Sequence, residues 1–196
     1  MQKELENIKQ KCLNCQKCNL SKTRTNVVFD DGVFNHNLML IGEAPGFYED
    51  KEGKPFVGKA GQLLDKIFAC VNLSRQKDIY ICNTIKCRPP NNRNPLPEEQ
   101  EACREYLDMQ IKLIHPKIMI LCGAVAAHAI LGTNEGITRL RGKWFDGENF
   151  GYPDTKIIPI FHPSYLLRND SREKGSPKWL MWQDIKDIRR VYDKLL

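Results

Sequence analysis

The sequence lacks the features that would place a protein in a membrane or outside the cell. None of its 196 residues belongs to an apolar run long enough to span a bilayer. The first residues, MQKELENIKQK, carry charges where a signal peptide needs an apolar stretch. Internal repeats, low-complexity tracts and linker-like segments are lacking as well, and the length suits one hydrophobic core. We therefore expect a single cytoplasmic domain that covers residues 1–196.

Two kinds of functional motif are also missing. The segment GKAGQ (Gly58–Gln62) lacks the GK[ST] ending of a phosphate-binding loop, so nucleotide hydrolysis is not predicted. Histidine is scarce, with four residues in the chain, and no motif surrounds His36, His115 or His128. We expect these three side chains to be packed or at the surface rather than catalytic.

Cysteine, in contrast, is abundant, with eight residues. Periodic apolar segments can supply a core without disulfides, and clustered reduced cysteines favour metal ligation. The segment CLNCQKC contains two overlapping Cys-x-x-Cys pairs, which share Cys15 and use either Cys12 or Cys18. Cys87 and Cys103 flank a loop that can bring its two ends together. Four thiolates suit zinc or an iron–sulfur cluster, and the spacing alone leaves the metal and the N-terminal pair open.

The remaining three cysteines have a different setting. Cys70, Cys82 and Cys122 lie within an apolar helix face or strand pattern. A thiol in such a place behaves as a small buried hydrophobe. We expect none of the three to bind metal.

Four short apolar runs alternate with helical patterns along the chain. The runs lack strict alternation, which is typical of strands buried on both sheet faces. They are Asn37–Gly42, Asp78–Ile85, Pro116–Gly123 and Lys156–His162. The helical patterns cover Ala60–Val71, Pro97–Ile114, Gly123–Gly132 and Pro177–Leu196. This order predicts a three-layer α/β/α sandwich around a mainly parallel, four-stranded sheet.

Ligands of such sheets bind beyond the carboxyl ends of the strands, so the residues that follow each strand form the candidate site. Glu43 and Glu49 follow the first run, Asn83 lies near the end of the second, and His162 ends the fourth. Paired acids are also common at helix N-termini, and Asn at a strand end is often a turn former. The residues alone leave both interpretations open.

One loop carries a concentration of positive charge. The stretch KCRPPNNRN (Lys86–Asn94) has three cations and no acid, in a chain of formal net charge +6. Such a charge is compatible with an anionic partner. A solvated basic loop and a phosphate-binding loop are both consistent with this composition.

Several segments resemble the family 4 uracil-DNA glycosylases, the iron–sulfur members of the uracil-DNA glycosylase superfamily. They are GEAPGFYEDKEGKPFVGKAGQLLD (Gly42–Asp65), NTIKCRPPNNRNPLPEE (Asn83–Glu99), EAC with Cys103, and FHPSYLLRN (Phe161–Asn169). The segment CQKCNLSKTRT (Cys15–Thr25) is similar to the family pattern C-x-x-C-x-L followed by R-T. The matches run over nearly the whole chain in the order of the family.

The resemblance implies a [4Fe–4S] cluster bound by Cys15, Cys18, Cys87 and Cys103, with iron rather than zinc. Cys12 would then be free or able to replace a neighbour. Tethering both ends of the loop between Cys87 and Cys103 would fix the shape of that loop. We therefore expect a structural rather than a redox role for the cluster.

The resemblance also implies a monofunctional uracil-DNA glycosylase of base excision repair. Such an enzyme flips deoxyuridine out of DNA and hydrolyses the bond between uracil and sugar with water, which leaves an abasic site. No motif places a lysine for strand cleavage, and KCRPPNNRNP has no histidine that could bond covalently to the sugar. The partner would be uracil-containing DNA, single- or double-stranded, bound by a monomer. Two alternatives are a glycosylase that also accepts hypoxanthine or xanthine and a non-catalytic iron–sulfur DNA-binding module.

By similarity to the family, three residues would recognise the extruded base. The amide of Asn83 would pair with O4 and N3–H of uracil. Phe56, in a loop flanked by Pro55 and glycines, would stack on the face of the base. His162 would stabilise the negative charge that develops on uracil O2 as the base departs.

The same similarity assigns the segment after the first strand to water activation. We expect Glu49 to activate water and to stabilise the cation that develops on the sugar. Glu43 is the alternative carboxylate for this role. Gly42 and Ala44 would shape the pocket.

Five further residues are expected to contact DNA. Arg88, Arg93 and Arg168 would bind phosphates, and Leu166 or Leu167 would fill the space that the flipped nucleotide leaves. The alternative for SYLLRN is a first helical turn that packs inward.

Overall fold

Six strands form one mixed sheet in the computed structural model, which describes residues 2–34 and 37–195. His36, expected to be packed or at the surface, lies outside the described residues. The order across the sheet is β1-β3-β2-β4-β6-β5. The strands are β1 (Asp31–Gly32), β2 (Leu38–Gly42), β3 (Ile79–Asn83), β4 (Ile118–Cys122), β5 (Phe145–Asp146) and β6 (Lys156–Ile160).

The four central strands are parallel and lie within the four predicted runs. Every residue of β2, β3 and β4 is buried, because helices cover both faces of the sheet. The register pairs Gly42 with Asn83, so two of the predicted site residues lie side by side at the carboxyl edge. β1 and β5 add two-residue antiparallel edges, which are too short to produce a sequence pattern.

Helices lie on both sides of this sheet. Four of them, α3, α4, α5 and α8 in the list below, match the predicted helices, and α4 has the predicted bounds. The periodic patterns do not predict the other four, because three of them have six residues or fewer and α1 is mostly polar with few buried residues. The helices are α1 (Gln2–Leu13), α2 (Phe47–Glu52), α3 (Lys59–Ala69), α4 (Pro97–Ile114), α5 (Ala124–Leu131), α6 (Ile137–Leu140), α7 (Pro163–Arg168) and α8 (Pro177–Leu195).

Side chains of the central strands alternate between two hydrophobic cores. Met39 and Ile41 of β2 belong to the core that contains α1, α4 and α5, whereas Leu38 and Leu40 belong to the core that contains α3, α7 and α8. The predicted three-layer sandwich is therefore confirmed. The N-terminal cysteines belong to the first core and Phe56 to the second, so the two candidate sites draw on opposite sides of the sheet.

Two of the three cysteines expected to be apolar core residues are buried. Cys82 in β3 and Cys122 in β4 are fully buried. Cys70 is exposed, and the prediction for this residue is wrong, since it follows the last residue of α3, where that helix ends at the surface. Within the part of the chain that the structure describes, no helix has both the length and the apolar character needed to cross a membrane.

Candidate active site and cysteine-lined cavity

A cavity of about 630 Å³ opens at the carboxyl edge of the sheet. It receives residues from the ends of all four central strands, as expected where parallel strands end together. Six of the residues predicted for catalysis or base binding line it: Glu43, Ala44, Glu49, Phe56, Asn83 and His162. The structure thus brings together the amide, imidazole, aromatic and carboxylate groups that the sequence distributes over some 120 positions.

Asn83 lines this pocket, and Gly42 lies behind it. Asn83 is the last residue of β3 and is 2% exposed. Gly42 is the residue beside it in β2, and a Cβ atom there would lie 2.4 Å from Asn83 Oδ1 and 2.5 Å from Phe56 Cζ. Glycine is therefore required at this position, because any side chain would displace both neighbours. Gly42 therefore shapes the pocket by leaving space for the side chains of Asn83 and Phe56.

Phe56 is held in an unusual backbone conformation. Its φ is +54°, in the left-handed region that costs a non-glycine residue about 1–3 kcal/mol. Arg75, which is buried, donates hydrogen bonds to the carbonyl oxygens of Pro55 (3.0 Å) and Phe56 (2.8 Å). Its guanidinium is also paired with Asp65 and Asp31. Sequence reasoning missed Arg75, which lies outside every motif and fixes the loop from below.

The Phe56 ring serves both the core and the pocket. It is 6% exposed and packs in the second core. One part of the ring still lines the cavity, and its centroid lies 5.8 Å from that of His162, with the planes at 34°. Burial of this kind fixes the ring, which favours stacking on a planar ligand.

His162 caps the helix that follows it. Its Nδ1 accepts a hydrogen bond from the backbone N–H of Ser164 (3.2 Å) and lies 2.7 Å from Ser164 Oγ. A backbone N–H can only donate, so Nδ1 is an acceptor and the neutral ring carries its proton on Nε2. Burial, assisted by the positive charge of Arg168, lowers the pKa of His162 to about 4. The imidazole is therefore a neutral donor at ordinary pH.

The two carboxylates after β2 are in different environments. Glu49 Oε1 accepts hydrogen bonds from the backbone N–H groups of Val57 (3.0 Å) and Gly58 (2.8 Å), which hold this oxygen in place. Glu43 lies deeper, and burial raises the pKa of its carboxyl group. A Cβ atom on Gly46 would lie 2.8 Å from Glu49 Oε2, so glycine leaves this second oxygen uncovered.

The three predicted phosphate-binding arginines differ in their engagement. Arg168, exposed at the end of α7, lines the cavity. Arg88 is partly exposed, and its Nε donates to Asn92 Oδ1 at 2.7 Å. Arg93 also lines the cavity, but its guanidinium forms a bidentate pair with Glu99 (2.6 and 2.8 Å) that fastens the loop to α4. Much of its charge is therefore already compensated.

SYLLRN forms a short helix, α7, and its two leucines point in different directions. Leu166 is 1% exposed and packs in the second core, so the prediction that it contacts DNA is wrong. Leu167 is 47% exposed. The inward-packing alternative thus applies to Leu166, and Leu167 stays the predicted wedge.

Five cysteines line a second, small cavity between the N-terminal segment, β3 and α4. They are Cys12, Cys15, Cys18, Cys87 and Cys103. All eight cysteines of the chain are free of disulfides. Among residues 2–34 and 37–195, no group of three or more His, Cys, Asp or Glu side chains is arranged to hold a single metal ion. The five thiols surround a shared space instead, and thiolates are the donors that zinc and iron–sulfur clusters take.

Cations and N–H groups point at these sulfur atoms. Arg24 donates to Cys87 Sγ (3.1 Å) and to the carbonyl oxygen of Cys15 (2.8 Å), and the backbone N–H of Lys86 lies 3.3 Å from Cys103 Sγ. Burial raises the pKa of Cys87, and it raises that of Cys103 to about 12. Metal binding here would therefore release protons.

Lys86 is the cation that sequence reasoning placed wrongly. It was grouped with a solvent-facing basic loop, but it is 0% exposed and lines the cysteine cavity. Its Nζ donates to the carbonyl oxygen of Asn83 (2.6 Å) and to Gln110 Oε1 (2.5 Å). Within the described ranges no Asp or Glu forms an ion pair with it. Lys86 therefore brings an unpaired positive charge to the cavity and touches the strand end that carries Asn83.

Known proteins share this arrangement of segments. The family model described as the uracil DNA glycosylase superfamily matches residues 29–186. A type-4 uracil-DNA glycosylase of Thermotoga maritima is 44% identical over 173 residues, which cover 86% of this chain and 86% of the relative. A type-4 uracil-DNA glycosylase of Archaeoglobus fulgidus is 42% identical over 83% of this chain and 83% of its own length. One of Sulfurisphaera tokodaii is 40% identical over 95% of this chain and 84% of its own length. The chain therefore belongs to the type-4 group of the uracil-DNA glycosylase superfamily.

Proposed function

We propose that this chain removes uracil from DNA by hydrolysing the bond between the base and the deoxyribose. The observation that carries the proposal is the single cavity lined by Asn83, Phe56, His162 and Glu49. Each of these groups answers one requirement of the reaction, namely reading the base, stacking on it, stabilising its charge and assisting water. The similarity to type-4 uracil-DNA glycosylases supports the same activity.

Asn83 and Phe56 are proposed to recognise the extruded base. A side-chain amide offers one donor and one acceptor, which fit O4 and N3–H of uracil and mismatch cytosine. Gly42 supports this role, because its lack of a side chain lets the amide and the ring approach each other. Both groups are held by strand pairing and core packing, so little ordering is needed when the base enters.

His162 is proposed to assist departure of the base. The tautomer set by Ser164 leaves N–H on Nε2, which can donate to uracil O2 as negative charge develops there. A neutral donor suits this role, and the lowered pKa of His162, about 4, keeps the ring neutral. The proton stays on Nε2, and uracil leaves as a stabilised anion.

Glu49 is proposed to hold the attacking water and to stabilise the positive charge of the sugar. Two backbone N–H groups keep one oxygen of Glu49 in place, while the other oxygen is left uncovered by Gly46. Glu43 is the less suitable candidate, since burial raises its pKa and favours the protonated form. We assign Glu43 and Ala44 to the pocket wall.

The cysteine cavity is proposed to hold a [4Fe–4S] cluster on Cys15, Cys18, Cys87 and Cys103. Four thiolates outweigh the positive charge of such a cluster core, so the bound group is anionic, and a buried, unpaired Lys86 fits an anionic neighbour. Donation from Arg24 to the sulfur of Cys87 fits a ligating thiolate as well. When bound, the cluster would supply a cross-link between the N-terminal segment and the two ends of the loop. Cys12 lines the same cavity as a fifth thiol.

DNA is proposed to lie across the mouth of the pocket, with Arg88 and Arg168 near phosphates and Leu167 as the wedge. Leu167 and Arg168 are consecutive and exposed at the end of α7, directly beyond His162. Arg93, paired with Glu99, is assigned mainly to fixing the loop. The monomeric state, the single domain and the cytoplasmic location stay predictions.

The activity is tested with single- and double-stranded oligonucleotides that contain one uracil, followed by alkali to break abasic sites. We expect cleavage of the uracil strand and none of strands with cytosine, thymine or hypoxanthine in its place. Asn83→Ala should abolish this cleavage, whereas Asn7→Ala, an exposed change in α1, should not. An intact uracil strand with the wild-type protein would overturn the proposal, and cleavage at hypoxanthine would replace it with a wider base range.

A further inference from the structure

Two exposed aromatic residues stand beside the proposed active site. Phe47 and Tyr48 are consecutive in the first turn of α2, and they are 53% and 54% exposed. Neither belongs to the two hydrophobic cores. Among the described residues, the next most exposed aromatic is Trp182 in α8, at 40%. Adjacent exposed apolar side chains mark interaction surfaces more often than isolated ones.

The fold does not need these two rings to hold α2 in place. Asp50, the buried residue of this helix, accepts hydrogen bonds from the backbone N–H groups of Thr25 and Asn26 at 2.9 and 3.2 Å. Carboxylates thus fasten the helix, since Glu49 is bound to backbone N–H groups in the same way. Phe47 and Tyr48 contribute exposed aromatic surface without serving the core.

The two rings extend the wall of the pocket outward. Both line the cavity that contains Asn83 and His162. Their centroids are 5.4 Å apart and their planes lie at 84°, so each ring keeps a separate face. The guanidinium carbon of Arg88 lies 5.1 Å from the centroid of Phe47. Arg88 therefore lies over the Phe47 ring, and the two aromatic residues continue the pocket wall outward with a cation packed against it.

We propose that Phe47 and Tyr48 bind the nucleotide next to the extruded uridine, with its base stacked on an aromatic ring and its phosphate facing Arg88. The proposal rests on the proposed function, since a DNA strand must deliver uracil to the pocket. Stacking accepts any base, because each base has a π face. A flanking base in a duplex stays paired, whereas the same base in a single strand is free to stack. This surface therefore favours single-stranded over double-stranded substrate.

The test uses oligonucleotides with the fluorescent base 2-aminopurine on the 5′ or the 3′ side of 2′-fluoro-2′-deoxyuridine, whose fluorine slows cleavage so that binding can be measured. We expect wild-type protein to quench the 2-aminopurine on one of the two sides. The Phe47→Ala/Tyr48→Ala variant should lose this quenching and bind the single strand about tenfold more weakly, with less than about threefold loss for the duplex. Trp182→Ala, an equally drastic change of an exposed ring elsewhere, should behave like wild type.

Exchanging the rings distinguishes stacking from a structural role. Phe47→Tyr/Tyr48→Phe keeps two aromatic faces and should quench as wild type does. Unchanged quenching in the double alanine variant would overturn the proposal, as would equal losses of affinity for single and double strands. Uracil release from an unfluorinated oligonucleotide is measured in parallel. If wild-type protein released no uracil, the proposed function would be wrong. If it released uracil but did not quench 2-aminopurine, only the stacking proposal would be wrong.

Discussion

The pocket and the cysteine cavity differ in how their polar groups are satisfied. In the pocket the chain itself supplies the partners, with Ser164 on His162 and two backbone N–H groups on Glu49. In the cavity a buried lysine, Lys86, faces five thiols and, within the described residues, pairs with no carboxylate. The comparison teaches that the polypeptide supplies the partners of the pocket groups, whereas the buried cation beside the cysteine cavity fits the proposed anionic cluster.

The two regions meet at Lys86. Its Nζ donates to the carbonyl oxygen of Asn83 at 2.6 Å, and its backbone N–H lies 3.3 Å from Cys103 Sγ. The strand end that carries the proposed base-reading amide is therefore one residue contact away from the cavity. Loss of the proposed cluster is expected to disturb the position of Asn83 through this contact. Loss of a pocket side chain is not expected to affect metal binding in the cavity.

The largest effect is expected when the cavity loses its ligands. Cys87→Ser combined with Cys103→Ser should abolish the brown colour expected of the protein purified without oxygen. It should also lower the midpoint of thermal unfolding by about 10 °C or more, because an unpaired buried cation costs several kcal/mol. Visible absorbance, iron content and thermal unfolding measure these changes.

Two variants complete that comparison. Cys70→Ser, at an exposed cysteine outside the cavity, should keep colour, iron and stability. His162→Ala should lose cleavage but keep the colour, because the pocket does not support the cavity. If His162→Ala were colourless and unfolded at the same temperature as the double cysteine variant, the pocket and the cavity would not be independent as proposed.

The second effect concerns the two carboxylates of the pocket. Glu49→Gln should slow single-turnover uracil release about 100- to 1000-fold, because a positioned carboxylate contributes this much to water activation. Glu43→Gln should slow it less than about tenfold, since we assign Glu43 to the pocket wall and the amide keeps the shape of the carboxyl group. Rapid-quench measurements with excess enzyme give both rates. A reversed order would assign the water to Glu43.

Sequence patterns predicted the central strands and the long helices. They missed the buried side chains that hold the pocket and the cavity in place. The four central strands and the helix Pro97–Ile114 follow from short apolar runs and a clear helical period, which tertiary packing does not override. The residues of the pocket were found because a motif surrounds each of them. Arg75 and Lys86 were missed or misplaced, because their roles depend on burial and on partners distant in sequence.

The short helices mark a second limit of sequence reasoning. Phe47–Glu52 and Pro163–Arg168 are six residues each, too short for a periodic signal, and only the second was considered as a helical turn, as the alternative for SYLLRN. Their existence decides which side chains reach solvent, with Leu166 buried and Leu167 exposed. Composition cannot tell which of two adjacent leucines is buried. The orientation of the helix places Leu166 in the core and Leu167 at the surface.

A smaller effect is expected when the support of Phe56 is removed. Arg75→Met deletes the hydrogen bonds to the carbonyl oxygens of Pro55 and Phe56, so the strained φ of +54° is no longer enforced. We expect kcat/KM for uracil release to fall about tenfold, through a mobile ring, while the colour of the cavity is unchanged. Arg189→Met, which removes a surface arginine paired with Asp193, is the matched control. Equal activity in the two variants would show that core packing alone holds the ring.

The smallest effect is a shift in the pKa of His162. It tests whether burial and neighbouring charges keep the imidazole neutral in the free protein. In protein labelled with ¹⁵N-histidine, NMR should find the proton on Nε2 and a midpoint of about 4, below the ordinary value of 6.5. Arg168→Gln should raise that midpoint, because the positive charge of Arg168 opposes protonation, and Glu49→Gln should lower it, because the carboxylate favours protonation. Arg190→Gln, in α8, should leave it unchanged.

The sign of the accompanying stability change follows from the same pKa. The unfolded chain protonates His162 near 6.5 and the folded chain only near 4, so acid favours the unfolded state across this window. Wild type should therefore lose stability relative to His162→Gln as the pH falls from about 6.5 to about 4, and the difference should be constant above that window. Denaturant unfolding at several pH values measures it. A midpoint near the ordinary value of 6.5 would contradict the burial of the ring, and only a midpoint well above 7 would make it a cation at ordinary pH.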